Sequence, residues 1–195
     1  MPRALTEQEK CRQCKRLMEK GMPIVLSQGI RRVSIEDITK AAGMSKGSFY
    51  HHFESKEKFI VEVILNVHRQ IFVLAEQTLS GEGDLRDNAR HFLLNLFNMA
   101  EMDFFMRYYD EISELANILA DNELQSAEEM EVNMYEKLLI TLGVNTQNVK
   151  AGVVHNFMHI MFMIMQSDLM IKNDLQKTRE LLTESLLSYI FGGKP

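Results

Sequence analysis

The chain has 195 residues, of which 46% are hydrophobic and 25% are charged, and its formal net charge is -5. These values are typical of a globular protein and exclude collagen-like, disordered and disulfide-rich chains. The three prolines are Pro2, Pro23 and Pro195, so helix is permitted from residue 24 to residue 194, whereas the acidic total at first argues against a nucleic-acid partner.

The polar N-terminus and the two cysteines indicate a reducing, cytoplasmic setting. The segment from Met1 to Lys20 has no signal-peptide pattern, so we expect a cytoplasmic protein with reduced thiols at Cys11 and Cys14. A zinc site or a thiol switch is the alternative, but two further zinc ligands at a readable spacing are missing. The longest apolar run has six residues, far below the roughly 18 of a membrane span, so we expect no membrane association.

Charge is distributed unevenly along the chain. Residues 1–60 contain 12 Lys or Arg and 7 Asp or Glu, whereas residues 61–195 contain 10 and 20. The net charges of these segments are +5 and -10, which indicates a small basic domain followed by a larger acidic one. We call residues 1–58 the head and residues 59–195 the body.

The first helix of the head has clear start and stop signals. The sequence Thr6-x-x-Glu9 fits a capping box, and the predicted helix runs toward Leu26 and ends at Gly29. Pro23 lies inside this helix and predicts a kink, because proline removes one backbone hydrogen bond and crowds the preceding turn.

Two short helices follow in the head. Ser34 caps a helix over residues 35–42 that Gly43 ends, and Ser45 caps another of about two turns. Two such helices joined by a glycine-centred turn form a helix-turn-helix, predicted over residues 34–53. The spacing of apolar residues predicts one shared core, formed by Ile38, Ala41, Met44, Phe49 and Phe53.

A fourth helix begins at Ser55 and leads from the head into the body. Its apolar residues recur at spacings of three and four for about five turns, as in an amphipathic helix. These residues are Ile60, Val63, Ile64, Val67, Ile71, Leu74 and Ala75.

The rest of the body consists of further predicted helices. Breaks are expected at residues 80–83, 121–122, 143–145 and 172–174. The segment 149–171 is apolar nearly all round and must be covered on two sides, one of them plausibly by a second copy of the chain. We therefore predict an all-α protein of about nine helices, with a three-helix head and a helical body.

The outward residues of the second short helix carry hydrogen-bond donors and flat rings. They are Lys46, Ser48, Tyr50, His51 and His52. In a helix-turn-helix, the N-terminal residues of this helix contact base edges in the major groove, while capping amides and neighbouring residues hold phosphates. A structural helix hairpin with no DNA role is the alternative, but these residues are not those of a protein core.

The segment from Gly43 to Glu57, GMSKGSFYHHFESKE, resembles the signature of the TetR family of bacterial transcription regulators. That signature runs approximately Gly-Val-Ser-Lys-Gly-Thr-Leu-Tyr-x-His-Phe-x-x-Lys-Glu. The resemblance extends over about residues 10–65, a third of the chain. The spacing of Tyr50, His52 and Lys56 gives it specificity.

The resemblance implies a homodimer that binds a double-stranded DNA operator through its heads. It also implies a four-helix interface made by the last two helices of each chain, and a body that encloses a small-molecule effector but no cofactor. In that arrangement Lys46 and Ser48 lie nearest the base edges, and His52 and Lys56 hold phosphates. The residues assigned to DNA contacts are Ser34, Ser45, Lys46, Gly47, Ser48, Tyr50, His51, His52 and Lys56.

Aromatic and polar residues of the body are candidates for the effector pocket. Between Glu101 and Glu136, 11 carboxylates accompany one basic residue, Arg107, which favours a cationic ligand, although a solvated acidic face explains most of them. The residues predicted to line the pocket are His68, Asn95, Phe104, Phe105, Tyr108 and Tyr109.

The last two helices are predicted to form the dimer interface. A cluster of methionines in residues 158–170 fits this interface or the core, and an adaptable ligand pocket is the alternative. The interface residues predicted are His155, Met158, Met161, Phe162, Met165, Leu182, Leu186 and Ile190.

His155 and His159 place two imidazoles on one helix face, as metal sites often do. The Glu that follows the first His of a zinc hydrolase is replaced by Asn156, and polar contacts in the interface or pocket wall are favoured over a metal site. An effector metal at these two histidines is the alternative. A helical metal-dependent enzyme using both histidines is the alternative function, but it lacks a recognisable acid, base or nucleophile. We therefore predict a non-enzymatic TetR-type repressor without a bound metal, released from a palindromic operator by a small-molecule effector.

Overall fold

The computed structural model describes residues 6–119 and 121–192, except for the side chains of residues 100, 101 and 121–124. These ranges contain ten α-helices, two short 3-10 helices and no strand. The all-α class is therefore confirmed, with ten helices rather than about nine. The helices are α1 (Glu7–Gln28), α2 (Ile35–Ala42), α3 (Lys46–Tyr50), α4 (Lys56–Leu79), α5 (Leu85–Asn95), α6 (Ala100–Arg107), α7 (Tyr109–Ile118), α8 (Asp121–Thr141), α9 (Ala151–Gln166) and α10 (Leu175–Phe191).

Helix α1 begins and ends where its sequence predicts. The Thr6 hydroxyl accepts a hydrogen bond from the Glu9 amide at 3.2 Å, and the Glu9 carboxylate accepts one from the Thr6 amide at 2.8 Å. This reciprocal pair is a capping box. The helix continues through Pro23 as one element and stops at Gly29, whose φ of 85° is a backbone conformation that glycine favours.

Three of the four breaks predicted in the body, at residues 80–83, 143–145 and 172–174, fall between α-helices. The fourth, predicted near residues 121–122, is placed slightly too late, because α7 ends at Ile118 and α8 already begins at Asp121. Helix α9 ends at Gln166, so the apolar segment 149–171 does not form one helix, and Ile171 lies outside it. Two interruptions were not predicted: the 3-10 helix Leu96–Asn98 and the turn at Tyr108. Neither contains a glycine or a proline, and the N-cap of α6 makes no side-chain hydrogen bond.

The described residues form two compact units. The first unit comprises the described residues through Asn66 together with Asp110–Ile118. Its core is built on Leu17, Val25, Ile38, Phe49, Phe59, Ile60 and Val63, all of them fully buried. Gly21 permits close packing there, because a Cβ at this position would lie 2.7 Å from Ile38 Cγ2 and 2.8 Å from Phe59 Cζ.

The second unit comprises Val67–Tyr109 and the described residues from Leu119 onward. Helix α10 packs against α5 and α9, and α8 packs against α9. Glu184 of α10 accepts a hydrogen bond from Arg90 of α5 at 2.5 Å. The core includes Phe92, Leu96, Phe104, Phe105, Met161, Leu186 and Leu187. Among the helices of the described ranges, none is both long and apolar enough to cross a bilayer.

Candidate functional site

The helix-turn-helix is held together by local hydrogen bonds. The Ser34 hydroxyl accepts from the Asp37 amide at 3.2 Å and donates to the Asp37 carboxylate at 2.5 Å. The hydroxyl and the amide of Ser34 both donate to this carboxylate and hold the pKa of Asp37 below its ordinary value. Gly43, with φ 60° and ψ 42°, then closes α2 in the left-handed conformation, and its amide donates to carbonyls of the last turn.

Helix α3 starts on a second cap. The Ser45 hydroxyl accepts from the Ser48 amide at 3.1 Å and lies 3.0 Å from the Ser48 hydroxyl. Ser45 and Ser48 are therefore engaged with each other in the free protein. The helix spans only Lys46–Tyr50, so His51 and His52 fall in the turn that follows it.

The core beneath α2 and α3 differs from the predicted one at two positions. Ile38, Phe49 and Phe53 are buried as expected, whereas Ala41 is exposed and Met44 is half-buried. Ala42 is fully buried instead of Ala41. In a helix of eight residues, a shift of one position turns a side chain by about 100°, which is enough to exchange the two alanines between core and surface.

The exposed face of α3 presents a lysine and a tyrosine. Lys46 is exposed, and its ammonium donates to the Glu36 carboxylate at 2.9 Å, an interaction that raises the pKa of Lys46. Tyr50 is 56% exposed, although its ring meets Phe49 edge-on. Gly47 and His51 are exposed on the same short segment.

Two of the predicted phosphate-binding residues have partners within the first unit. The Lys56 ammonium donates to the backbone carbonyls of Ile30 and Val33, at 3.0 and 3.3 Å. His52 Nε2 lies 3.1 Å from Gln13 Oε1 of α1. Lys56 therefore fastens the loop between α1 and α2, and it has three ammonium protons of which these carbonyls engage two.

Burial lowers the pKa of His52 below its ordinary value of 6.5, and the nearby charges of His51 and Lys10 lower it further. This imidazole is therefore neutral near pH 7. Cys11 and Cys14 are free thiols on α1. The pKa of Cys14 is raised by burial and by Glu62 and Cys11, which keeps this thiol protonated.

Several residues of the first unit were missed by sequence reasoning. Arg31, in the loop before α2, pairs with Glu114 of α7 and donates its amide to the Glu111 carboxylate at 2.9 Å. Glu36 and Gln13 were also missed as partners of Lys46 and His52. Arg31 and Glu114 are 83 positions apart, and no local pattern connects them.

The second unit brings three histidine side chains together around a carboxylate. Glu131 of α8 lies 3.1 Å from His155 Nε2 and 3.7 Å from His159 Nε2 through its Oε2 atom. Its Oε1 atom lies 2.8 Å from His68 Nδ1. Burial raises the pKa of Glu131, but the three histidines outweigh it and hold the pKa well below its ordinary value. His155, correspondingly, has a raised pKa because it donates to Glu131.

The residues predicted for the effector pocket separate into two groups. Four of them form a chain of ring contacts: His68 stacks on Phe105 at 4.5 Å, Phe105 meets Phe104, and Phe104 meets Tyr108. The other two are engaged elsewhere. Tyr109 packs on Phe162, and the Asn95 amide donates to the His91 carbonyl of its own helix at 2.8 Å.

An open groove of about 740 Å³ lies along α8 and α9. It is lined by a different set of residues, which includes Glu128, Val132, His155, His159 and Met163. None of the six residues predicted for the pocket lines this groove. The effector pocket therefore stays a prediction.

Two residues predicted for the dimer interface lie in the core of one chain. Met161 and Leu186 are 0% and 1% exposed in the single chain, so neither presents a surface to a partner. His155 is also buried, against Glu131. Phe162, Met158, Met165, Leu182 and Ile190 are half-buried. The exposed apolar residues of α9 and α10 are instead Ile160, Met163 and Leu181.

Comparisons with known proteins identify relatives of this chain. Residues 21–63 match the family model described as bacterial regulatory proteins, tetR family. Over 64 residues, 33% of this chain and 30% of the relative, the chain is 42% identical to the HTH-type transcriptional repressor DhaR of Mycobacterium sp. (strain GP1). Over 73 residues, 36% of each protein, it is 38% identical to the HTH-type transcriptional repressor NemR of Escherichia coli (strain K12). The matches span about a third of the length of these curated relatives.

The fold of the whole chain is shared with a solved structure. A TetR-family transcriptional regulator from Pectobacterium atrosepticum superposes with a TM-score of 0.62 at 16% sequence identity, covering 94% of each chain. At this identity the likeness concerns the fold alone, while the sequence matches concern the helix-turn-helix and its surroundings. Both curated relatives are named as HTH-type transcriptional repressors. Residues 21–63 thus match the tetR family of bacterial regulatory proteins, and most of the chain shares the fold of a TetR-family regulator.

Proposed function

We propose that this protein is a sequence-specific DNA-binding transcriptional repressor that reads its operator with helix α3. The observation that carries the proposal is the exposed face of α3, where Lys46 and Tyr50 project from a helix whose opposite side is fixed by buried Phe49. A rigid short helix with exposed donors fits the major groove, which admits one α-helix and displays a distinct pattern for each base pair.

Contacts to bases and phosphates are assigned to different residues. Lys46 and Tyr50 are the proposed base-reading residues, together with Ser48. The caps Ser34 and Ser45, the backbone at Gly47, and His51, His52 and Lys56 are the proposed phosphate contacts. In the free protein Glu36 holds the Lys46 ammonium, so DNA must displace this carboxylate. Breaking the pair of Lys46 and Glu36 costs free energy on every DNA sequence. A strong contact between Lys46 and a base must offset that cost.

The proposed active form is a homodimer on a near-palindromic operator. Each head reads one half-site, and the half-sites lie an integral number of helical turns apart, about 10–10.5 bp or a multiple of it. Exposed Ile160, Met163 and Leu181 support an interface on α9 and α10, because exposed large apolar side chains on adjacent helices favour association.

A small-molecule effector that releases the DNA completes the proposal. The ring contacts from His68 through Phe105 and Phe104 to Tyr108 support an aromatic binding region in the second unit. Aromatic side chains with a few polar groups are typical of small-molecule sites. No cofactor is needed for this mechanism.

The base-reading role of Lys46 is tested on an operator selected from random-sequence DNA. We expect Lys46→Ala to change the preference among single-base operator variants by about 1–3 kcal/mol at the contacted position. Lys15→Ala is the matched control, because Lys15 is an exposed lysine of α1 that pairs with Glu19 and the charge change is identical. Affinities from fluorescence anisotropy at one salt concentration give the comparison. An equal loss on all operator variants would show that Lys46 contacts only the backbone.

A further inference from the structure

Three metal-ligating side chains of the second unit converge on one point. Glu131 Oε2 lies 3.1 Å from His155 Nε2 and 3.7 Å from His159 Nε2. One ligand atom from each of the three residues lies within 4.8 Å of the others. Two helices, α8 and α9, supply these ligands, and the histidines are spaced i, i+4 so that they share a helix face.

The donor set matches a particular class of ion. Two imidazole nitrogens and one carboxylate oxygen are the ligands of many zinc sites, which leave a fourth position open to water. With bonds of about 2.0–2.1 Å, tetrahedral ligand atoms lie about 3.3 Å apart, close to the separations from Glu131 to both histidines. Calcium and magnesium prefer oxygen ligands, so this set favours a transition metal.

His68 lies on the other side of the same carboxylate. Its Nδ1 atom is 2.8 Å from Glu131 Oε1, but the two atoms do not form a hydrogen bond of acceptable geometry, and Nδ1 is a buried polar atom without such a partner. Stacking on Phe105 fixes the ring at a centroid separation of 4.5 Å. His68 is therefore placed to orient the carboxylate, the role that partners of metal ligands commonly have.

The cluster is accessible from solvent. His155 and His159 line the open groove of about 740 Å³ along α8 and α9, and the His159 side chain is 60% exposed. Glu128 lines the same groove and adds a negative charge close to the histidines. A cation can therefore reach Glu131 without opening the core.

We propose that Glu131, His155 and His159 bind one divalent transition-metal ion of the zinc type in each chain, with His68 as a positioning residue. The site uses Glu131, 24 positions before His155, as a third ligand. It therefore differs from the alternative enzyme site, which used only the two histidines, and from the expectation of no bound metal. It does not depend on DNA binding.

Cobalt(II) tests the site directly, since its visible absorption reports the number and type of ligands. The full-length protein, freed of metal by a chelator, is titrated with Co²⁺ and then with Zn²⁺. We expect one equivalent of Co²⁺ per chain to give the intense visible band of a four- or five-coordinate ion, and Zn²⁺ to remove it. His155→Ala and Glu131→Gln should abolish the band, and His68→Phe should weaken binding by about 10–100-fold.

Exposed His159 and a surface histidine supply the controls. His159→Ala removes a mostly exposed side chain and should lose the band while retaining the wild-type circular dichroism spectrum. His91→Ala removes an exposed histidine of α5, and this variant should bind Co²⁺ as the wild type does. A spectrum of hexaaqua type for the wild type would overturn the proposal. Equal binding by the wild type and folded His159→Ala would overturn it as well.

Discussion

The helix-turn-helix of the first unit and the polar cluster of the second differ in the range of the contacts that organise them. In the first unit, the helix-turn-helix is closed by hydrogen bonds between residues three positions apart, from Ser34 to Asp37 and from Ser45 to Ser48. In the second unit, the polar cluster joins His68, Glu131 and His155, which lie on three helices. The motif proposed to recognise DNA is therefore continuous in sequence, whereas the polar cluster of the second unit arises only from tertiary packing.

The largest expected effect is on helix α9 of the second unit, where substitutions of a buried and an exposed methionine can be compared. Met161→Asp places a charge at a fully buried position next to Thr183, and we expect it to prevent folding. Met163→Asp lies two residues further, where the side chain is 56% exposed, and should leave the chain folded. Circular dichroism shows whether each variant folds, and size-exclusion chromatography with light scattering gives its oligomeric state.

The same pair of variants tests the proposed dimer. A folded monomer of Met163→Asp would support an interface through the exposed face of α9. A dimer of wild-type strength for this variant would show that association uses another surface. If Met161→Asp formed a well-folded protein, the packing of α9 against α10 would itself be wrong.

In the first unit, two adjacent aromatic residues should contribute to different properties: Phe49 to stability and Tyr50 to DNA recognition. Phe49 is fully buried and contacts the rings of Tyr50, Phe53 and Phe59, so Phe49→Ala should cost about 3–5 kcal/mol of unfolding free energy. Tyr50→Ala removes a mostly exposed ring and should cost about 1 kcal/mol or less. Denaturant unfolding gives both values.

DNA binding by the Tyr50 variant completes this comparison. Tyr50→Ala should weaken operator binding although the protein stays folded, because its ring lies on the proposed recognition face. Retention of full operator affinity by folded Tyr50→Ala would remove Tyr50 from that face. The buried neighbour Phe49 supports recognition only by holding α3 in place.

The helices of the head are predictable because local sequence signals mark where they begin and end. The capping boxes at Thr6 and Ser34 and the positive φ of Gly29 and Gly43 depend on neighbouring residues, so the head helices were predicted to within a few positions. The break at Leu96–Asn98 has no side-chain cap and no glycine, so nothing in the local sequence marks it.

The candidate site was predictable only in part, for the same reason. The signature from Gly43 to Glu57 predicts a recognition helix at α3. It does not predict that Glu36 holds Lys46 or that Lys56 donates to the carbonyls of Ile30 and Val33. The pair His155 and His159 was visible as an i, i+4 spacing on α9. Its partner Glu131 was not, because only the packing of α8 on α9 brings it near.

The smallest effect, and the finest test of the first unit, is the pH response of His52. Its imidazole faces Gln13 of α1, and burial together with His51 and Lys10 lowers its pKa below 6.5. The unfolded chain then takes up a proton at a higher pH than the folded chain. The contribution of His52 to the unfolding free energy is therefore complete above pH 6.5, falls as the pH drops through this value, and becomes constant below the folded pKa.

If His52 holds a phosphate, operator affinity should change with pH in the opposite direction to stability. A phosphate favours the protonated imidazole, so DNA raises the pKa of His52 and affinity increases as the pH falls. His52→Gln retains a side chain that can pair with Gln13 but does not titrate, and the difference between wild type and variant cancels the other five histidines of the chain. Denaturant unfolding and anisotropy of labelled DNA from pH 5.5 to 8 give the two slopes. If the stability difference varied with pH while the affinity difference did not, His52 would be a structural contact between α1 and the turn after α3, because only phosphate binding couples its proton to DNA.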